Sequence, residues 1–272
     1  MDQQLSFADA HPPREIARKV EELGVVKARS DTVTVLALAV LAGAFISLGA
    51  LFFTVVITDA NFGWGVNRLL GGIAFCLGLI LVVVAGAELF TGNNLVAMAW
   101  ASGLIGTRDI ARNWLIVYVG NVIGCFVTVA LVLWGAIDGL GGGAVGETAL
   151  NIARVKAELS LAEAFARGVL CNALVCLAIW LAMGGRSVTD KILAVLFPIA
   201  AFVTVGFEHS IANWFFLPYG VALDASGTVA ISGVLRNLAS VTAGNIVGGT
   251  LLVAGVYWIA YLRNERREAR ET

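Results

Sequence analysis

The chain has 272 residues, of which 59% are apolar and 14% are charged, and its formal net charge is −1 at pH 7. Mean hydropathy is +0.87. Soluble domains average about 25% charged residues, so this chain has too little charge for a soluble surface. The composition excludes a soluble enzyme and a disordered chain, and the near-zero net charge provides no basic field for a nucleic-acid partner.

Uncharged stretches long enough to cross a lipid bilayer recur along the chain. A membrane-spanning helix needs about 20 mainly apolar residues, because about 30 Å of hydrocarbon is crossed at about 1.5 Å per residue. Two such stretches, 69–107 and 192–223, are each divided by a single acid, Glu88 or Glu208. We therefore predict an all-α integral membrane protein with six transmembrane helices, of which the second and fifth are interrupted. The four uninterrupted spans are 32–58, 113–137, 168–185 and 237–262.

The basic residues are distributed unevenly between the two sides of these spans. Most of the 18 Lys and Arg residues flank the ends that share a side with both termini, so the termini are predicted to be cytoplasmic. Residues 1–30 have apolar positions at helical spacing and predict a cytoplasmic amphipathic helix at the membrane interface, with a solvated basic lead-in as the alternative. A six-helix transmembrane domain over 31–262 and a cytoplasmic tail over 263–272 are predicted to follow.

The two halves of the chain contain the same ordered set of Gly, Glu and Asn residues. Both interrupted segments contain the pattern G-x-E-x-x-x-x-N, which begins at Gly86 and again at Gly206. A span with the pattern Gly-Asn-x-x-Gly follows in each half, at Gly120 and at Gly244. Because each half has three spans, the second half enters the membrane from the opposite side. The pattern predicts a 3+3 inverted repeat, which is frequent in channels and transporters, with small residues that permit close helix contact.

The two interruptions are the predicted functional site. Irregular backbone is tolerated within a membrane only beside protein or water, and these segments contain Glu88, Glu208, Asn93 and Asn213. Pro198 is expected to weaken the fifth segment further. Helix N-termini at a break favour anions. The alternative is that the two acids only cap the chain breaks or pair with lysines near the membrane surface.

His209 is a further candidate, because it lies beside Glu208, whereas the second histidine of the chain, His11, belongs to the N-terminal stretch. Histidine exchanges protons near neutrality, with an unperturbed pKa of about 6.5. A lone membrane histidine is more often a packing residue, but the repeat places Leu89 at the matching position, so the halves differ here. The four cysteines have no metal-binding or redox spacing, so we assign them to packing and predict no metal and no cofactor.

Four strings resemble the bacterial formate/nitrite transporter family: AELFTGN from Ala87, CNALVCLAIW from Cys171, GFEHSIAN from Gly206 and GNIVGG from Gly244. The likeness covers nearly the whole chain. It implies an aquaporin-like protomer with its own pore, assembled as a homopentamer in the bacterial inner membrane. It also implies transport of a small monovalent weak-acid anion and no enzymatic activity.

The resemblance implies a role for individual residues of the pore. His209 is similar to the central pore histidine of the family, with Thr91 and Asn172 as its hydrogen-bonding neighbours. Apolar constrictions are implied on either side of this histidine. The residues that resemble them are Phe75, Leu79, Leu89, Phe90 and Phe202.

Paired charges are implied at the two pore entrances. Lys156 and Glu208 resemble the pair of the outer vestibule, and Lys27 and Glu88 resemble the inner pair. Trp214 departs from the family pattern, because many members have methionine at this position. The resemblance therefore does not predict the details of the pore lining there.

The resemblance implies formate as the first candidate substrate, nitrite as the next and hydrosulfide as a further one. A buried anion is costly, so we expect protonation near His209 to precede passage, which predicts proton coupling. One alternative is an anion channel with a protonated His209. A neutral-solute channel of aquaporin type is a second, opposed by the lack of Asn-Pro-Ala. A membrane-embedded redox subunit is a third, opposed by the shortage of metal or haem ligands.

Overall fold

A computed structural model describes residues 10–265, and every regular element in this range is a helix. The predicted N-terminal helix and C-terminal tail extend outside this range, at residues 1–9 and 266–272. Short 3-10 stretches, Gly92–Val96 and Ile137–Gly143, precede the fourth and sixth helices. In chain order the helices are α1 (Pro13–Arg29), α2 (Thr32–Ile57), α3 (Trp64–Gly86), α4 (Ala97–Ala101), α5 (Thr107–Trp134), α6 (Ala144–Glu158), α7 (Leu161–Gly184), α8 (Val188–Val205), α9 (Ser210–Leu223) and α10 (Ile231–Tyr261).

Six of these helices, α2, α3, α5, α7, α8 and α10, are long and apolar enough to cross a membrane. They confirm the predicted all-α membrane protein with six spans. After α3 the helix is interrupted before α4 begins, and after α8 it is interrupted before α9 begins. We call these two interruptions the breaks. The second and fifth crossings are therefore the interrupted ones, as predicted.

Polar side chains at the ends of the apolar runs determine where several spans begin. Asp31 caps α2 by accepting hydrogen bonds from the backbone N–H groups of Val33 and Thr34, at 2.9 and 3.1 Å. Hydrogen bonds from Thr34, more than that from Val33, lower the pKa of Asp31. Ser160 and Ser187 cap α7 and α8 in the same way. Because each cap satisfies N–H groups that have no partner within the helix, these boundaries follow from the local sequence.

The helices α1 and α6 lie on opposite sides of the bundle, because the three spans of the first half separate them along the chain. We call the side of α1 the amino face and the side of α6 the distal face. The buried side of α1 packs against α4, α5, α7 and the 3-10 stretch before α4. In the other half, α6 packs against α9 and α10. Both helices are thus packed onto the folded bundle, α1 on the amino face and α6 on the distal face.

The repeat is visible in the helix contacts. In the first half α2 packs against α3 and α5, and in the second half α7 packs against α8 and α10. A side chain at Gly124 would place its Cβ 2.0 Å from the carbonyl oxygen of Val40, and one at Gly248 would lie 2.1 Å from that of Val169. The Gly-Asn-x-x-Gly spans therefore contact the first span of each half backbone to backbone, as the inverted repeat predicts.

Both breaks begin at a glycine with left-handed backbone. Gly86 at the end of α3 and Gly206 after α8 each have φ of +86°, a conformation that costs other residues about 1–2 kcal/mol. The expected weakening at Pro198 needs correction, because α8 continues through this proline to Val205. Proline is tolerated in membrane helices where neighbours satisfy the freed backbone group. The glycine, not the proline, ends the helix.

Candidate transport pathway

Two buried asparagines hold the chain breaks in place. Asn121 on α5 donates to the carbonyl oxygens of Ala39 and Glu88, at 2.7 and 2.9 Å, and accepts from the N–H of Phe90 at 2.9 Å. Since an unpaired backbone group in hydrocarbon costs several kcal/mol, this side chain stabilises the irregular segment. Asn245 on α10 does the same for the second break. Its partners are Gly168 O, Glu208 O and Ser210 N, at 2.8, 3.0 and 2.8 Å.

A second repeated network joins each intramembrane acid to a lysine. On the amino face, Lys27 Nζ lies 2.8 Å from Glu88 Oε1, and Asn93 Nδ2 donates to Glu88 Oε2 at 2.6 Å. Asn93 Nδ2 also donates to Asn113 Oδ1, and the Asn113 amide donates to the Lys27 carbonyl. Both acids therefore form ion pairs, and Lys27 and Lys156 reach them from α1 and α6. The distal set, with contacts of 2.7–2.9 Å, is Lys156, Glu208, Asn213 and Asn237.

His209 caps the N-terminus of α9 at the second break. Its Nδ1 accepts from the N–H of Ala212 at 3.1 Å, and its Nε2 lies 3.0 Å from Thr91 Oγ1 at the first break. Because an N–H group points at Nδ1, that nitrogen carries no proton, and the neutral ring holds its proton on Nε2. The ring is buried and stacks against Phe202, with centroids 6.0 Å apart. The imidazole thus directs one N–H donor from one break towards the other.

Asn172 contacts the backbone of Thr91 and not the histidine. Its Nδ2 donates to the carbonyl oxygens of Thr91 and Asn245, at 3.2 and 2.7 Å. The expected hydrogen bond between Asn172 and His209 is not among the contacts of the described residues. The physical reason is that the amide of Asn172 satisfies two buried carbonyl groups beside the break. Thr91, whose side chain contacts His209, therefore lies between Asn172 and the imidazole.

Two cavities approach the breaks from opposite faces. The amino cavity has a volume of about 380 Å³, and Lys27, Glu88, Leu89 and Asn93 are among its lining residues. The distal cavity has a volume of about 500 Å³. Among the described residues, none lines both cavities. The distal lining includes Phe75, Lys156, Phe202, Glu208, His209 and Asn213.

Buried apolar side chains separate the two cavities. Phe75 and Phe202 pack edge to face with ring centroids 5.6 Å apart, and both line the distal cavity. Leu79 and Leu89 are buried, and Leu89 lines the amino cavity. These four residues and Phe90 belong to a single buried apolar cluster. The space between the cavities is therefore closed and apolar, apart from the Thr91–His209 contact.

Phe90 and Trp214 contact an aromatic group on α5 and line neither cavity. Phe90 packs against Tyr118 with ring centroids 4.9 Å apart. Trp214 Nε1 donates to Tyr118 Oη at 2.8 Å, and the Trp214 ring packs beside Phe126. The departure from the family pattern at Trp214 thus lies outside the cavity walls, and Phe90 lies beside the constriction.

Four asparagines of these networks have no predicted role. Asn121 and Asn245 belong to the repeated Gly-Asn-x-x-Gly pattern, and Asn113 and Asn237 precede it at the same spacing in both halves, so their recurrence is a usable signal. All four cysteines are free and buried. Among residues 10–265, no group of three His, Cys, Asp or Glu side chains is placed to hold a metal ion.

Six spans in an inverted repeat, with two cavities that approach the broken helices from opposite faces, define a channel-like membrane transport protein. The profile of the formate/nitrite transporter family matches residues 14–259. The chain belongs to this family, and it is a transport protein and not an enzyme.

Individual relatives agree with this assignment. The formate channel FocA of Escherichia coli K12 is 39% identical to the chain, over 92% of this chain and 94% of that protein. A solved pentameric formate channel with formate bound is 40% identical, with a TM-score of 0.79 over 85% of this chain and 98% of that one. An aquaglyceroporin from Plasmodium falciparum, 14% identical, matches with a TM-score of 0.53 over 81% of this chain and 95% of that one. This last match concerns the fold alone and confirms the aquaporin-like architecture.

Proposed function

We propose that the protein carries formate and, second to it, nitrite or another small monovalent weak-acid anion across a bacterial inner membrane. Membership in the family and 40% identity to a channel with formate bound support this. That relative is pentameric, so the proposed assembly is a homopentamer with one pore in each protomer. Because Lys and Arg concentrate on the amino face, we place α1 and both termini in the cytoplasm. The distal cavity then opens to the outside.

One observation carries the proposed mechanism: His209 lines the distal cavity, and its neutral ring directs the Nε2–H donor towards Thr91 in the closed apolar zone between the cavities. The Born cost of moving an unpaired anion into such a zone is on the order of 20 kcal/mol. One hydrogen bond to a charged group repays only about 1.5–3 kcal/mol of this. An anion that first acquires a proton avoids the cost, so each anion crosses together with one proton.

The proposed steps divide the task among the residues of the pathway. Lys156 attracts the anion into the distal cavity, and the Nε2–H of His209 donates to one of its oxygens. A proton from the aqueous phase joins a second oxygen, and the neutral acid passes Phe202 and Leu89. In the amino cavity the acid releases its proton to water. An acidic outside therefore drives uptake.

A charged anion that binds a cationic His209 is the competing mechanism. A second ring proton on Nδ1 would displace the N–H of Ala212. It would also place a positive charge at the positive end of the α9 dipole. Both effects favour the neutral ring, so proton coupling is the mechanism we put forward. Sustained formate current across a planar bilayer at pH 7 would support the charged route, whereas electroneutral flux supports coupling.

The test is the pH dependence of uptake in proteoliposomes. We expect the initial rate of labelled formate uptake to rise as the outside pH falls from 7.5 to 5.5. His209→Phe should lower the rate at pH 5.5 at least about tenfold and abolish its pH dependence, because the Nε2–H donor is lost. His11→Phe, at the second and solvent-accessible histidine, serves as the matched control. A wild-type pH profile in His209→Phe would exclude this mechanism.

Substrate choice needs a separate measurement. Formate, nitrite, hydrosulfide and lactate should be tested as competitors of labelled formate at two pH values. We expect formate and nitrite to compete strongly and lactate weakly, because the closed zone between Phe202 and Leu89 admits small acids more readily. Glycerol flux measured by light scattering tests the neutral-solute alternative, and equal rates for glycerol and formate would favour it.

A further inference from the structure

The two halves of the inverted repeat differ at a charged position in the cavity walls. In each half, the N–H of the break glutamate donates to a carbonyl of the first span, from Glu88 to Leu38 and from Glu208 to Arg167, both at 3.2 Å. Leu38 and Arg167 are therefore equivalent positions. Leu38 lines the amino cavity and Arg167 lines the distal cavity. The distal wall thus has a guanidinium where the amino wall has a leucine.

A second arginine is fixed at the distal cavity by the end of a helix. Arg68 on α3 lines this cavity, and its Nε donates to the carbonyl oxygen of Thr204 at 3.2 Å. Its Nη2 donates to the carbonyl of Val203. Both carbonyl groups belong to the last turn of α8, where the helix dipole favours a cation. The guanidinium is consequently held at the cavity wall and does not need an acidic partner.

The lysines of the two networks also differ in what they contact. Lys27 Nζ donates to Glu88 and to Asn93 Oδ1, at 2.8 and 2.9 Å. Within residues 10–265, Lys156 Nζ donates to Glu208 at 2.9 Å and to no other group, and it lies 5.3 Å from the centre of the Phe216 ring. The ammonium group of Lys156 thus has donors left for a ligand in the distal cavity.

An uncompensated polar atom lies in the same wall. Among the described residues, Asn213 Oδ1 is buried and has no hydrogen-bond partner, whereas the equivalent oxygen of Asn93 accepts from Lys27. Asn213 lines the distal cavity. A buried acceptor normally has a partner, and a water molecule or the O–H of a protonated acid in this cavity would provide one.

The charges of the two walls differ accordingly. Among the described residues, the amino cavity is lined by one cation and one acid, Lys27 and Glu88. The distal cavity is lined by Arg68, Lys156 and Arg167 against the single acid Glu208. We propose that these three cations form an anion-binding subsite for small monovalent oxyanions, which loads the pore from the distal face. This inference rests on the proposed function and assigns it a sided entrance.

The subsite predicts unequal apparent affinity at the two faces. A cavity lined by excess positive charge raises the local anion concentration, so the half-saturating formate concentration should be lower from the distal face. At equal pH and zero membrane potential, a passive transporter has equal ratios of maximal rate to half-saturating concentration in both directions. The lower half-saturating concentration should therefore appear with a proportionally lower maximal rate from the same face.

The experiment compares right-side-out and inside-out vesicles prepared from the same cells, which present opposite faces to labelled formate. Arg167→Leu copies the residue of the first half. We expect it to raise the half-saturating concentration at the distal face about three- to tenfold and to leave that at the amino face unchanged. Arg167→Lys should restore the wild-type value, because it retains the charge.

The matched control is Arg154→Leu, on the same face but outside the distal cavity lining. Added impermeant salt should reduce the difference between faces in the wild type and have little effect in Arg167→Leu. Equal half-saturating concentrations at both faces of the wild type, or an equal change at both faces in Arg167→Leu, would overturn the subsite. Wild-type vesicles that transport no formate from either face would instead contradict the proposed function.

Discussion

At the scale of single residues, the asparagines of α5 and α10 stabilise the irregular backbone that a membrane would otherwise not tolerate. Asn121 and Asn245 each satisfy two carbonyl groups and one N–H group at a break. Both are fully buried. A hydrophobic replacement of similar volume leaves three backbone groups without partners.

We expect Asn245→Leu to destabilise the protein by about 3 kcal/mol or more, since each unsatisfied buried group costs about 1–3 kcal/mol. The readout is the apparent melting temperature of the purified protein, measured by size-exclusion chromatography of heated samples. Asn151→Leu, at an exposed asparagine of α6, is the control and should change this temperature little. A wild-type melting temperature in Asn245→Leu would contradict the assigned role.

The repeat in the sequence identified these asparagine positions but not their partners. Asn245 and its partner Gly168 are 77 residues apart, and Asn121 and Ala39 are 82 apart. No local pattern indicates which backbone group such a side chain reaches. For the same reason, the resemblance predicts a contact of Asn172 with His209, whereas the structure shows one with the carbonyl of Thr91.

At the scale of elements, the two breaks are made by glycines with the same backbone conformation in different surroundings. A Cβ at Gly86 would meet no atom within 4 Å, whereas one at Gly206 would lie 3.4 Å from Arg68 Nη2. The left-handed φ of +86° is shared by both. Substitution at the two positions therefore separates the backbone cost from the contact with the arginine.

Gly86→Ala and Gly206→Ala should each destabilise the protein by about 1–2 kcal/mol, because alanine resists the left-handed conformation. Only Gly206→Ala should also raise the half-saturating formate concentration at the distal face, because its Cβ lies against the guanidinium. Thermal stability and sided uptake measure the two effects. Gly65→Ala, in the first turn of α3 with open space around it, is the control. Identical uptake in both break variants would show that contact with Arg68 has no influence.

At the scale of the whole molecule, the single chain leaves large apolar side chains exposed along its spans. On α5 these include Leu115, Val119 and Phe126. In a membrane such a surface contacts lipid or another copy of the chain. The proposed pentamer requires part of this surface to form contacts between protomers.

Native mass spectrometry from lipid nanodiscs should show a complex of five chains of 28.5 kDa. Van der Waals packing of small and apolar side chains drives such association within a bilayer. Measurement in lipid is essential, because detergent can separate protomers, and parallel spectra in two detergents provide the comparison. A single-chain species in lipid would contradict the pentamer while leaving the protomer fold unaffected.

The amino-acid sequence by itself determined the six spans, the two interruptions and the inverted repeat, because hydrocarbon thickness and backbone hydrogen bonding impose local patterns. It also identified His209, Glu88 and Glu208, since polar groups in apolar runs are conspicuous. Only the tertiary structure decided which nitrogen of His209 faces Thr91. It likewise showed that Arg167 lines the distal cavity, whereas Leu38 takes the equivalent position in the amino cavity. These features depend on contacts between distant segments, which no local pattern specifies.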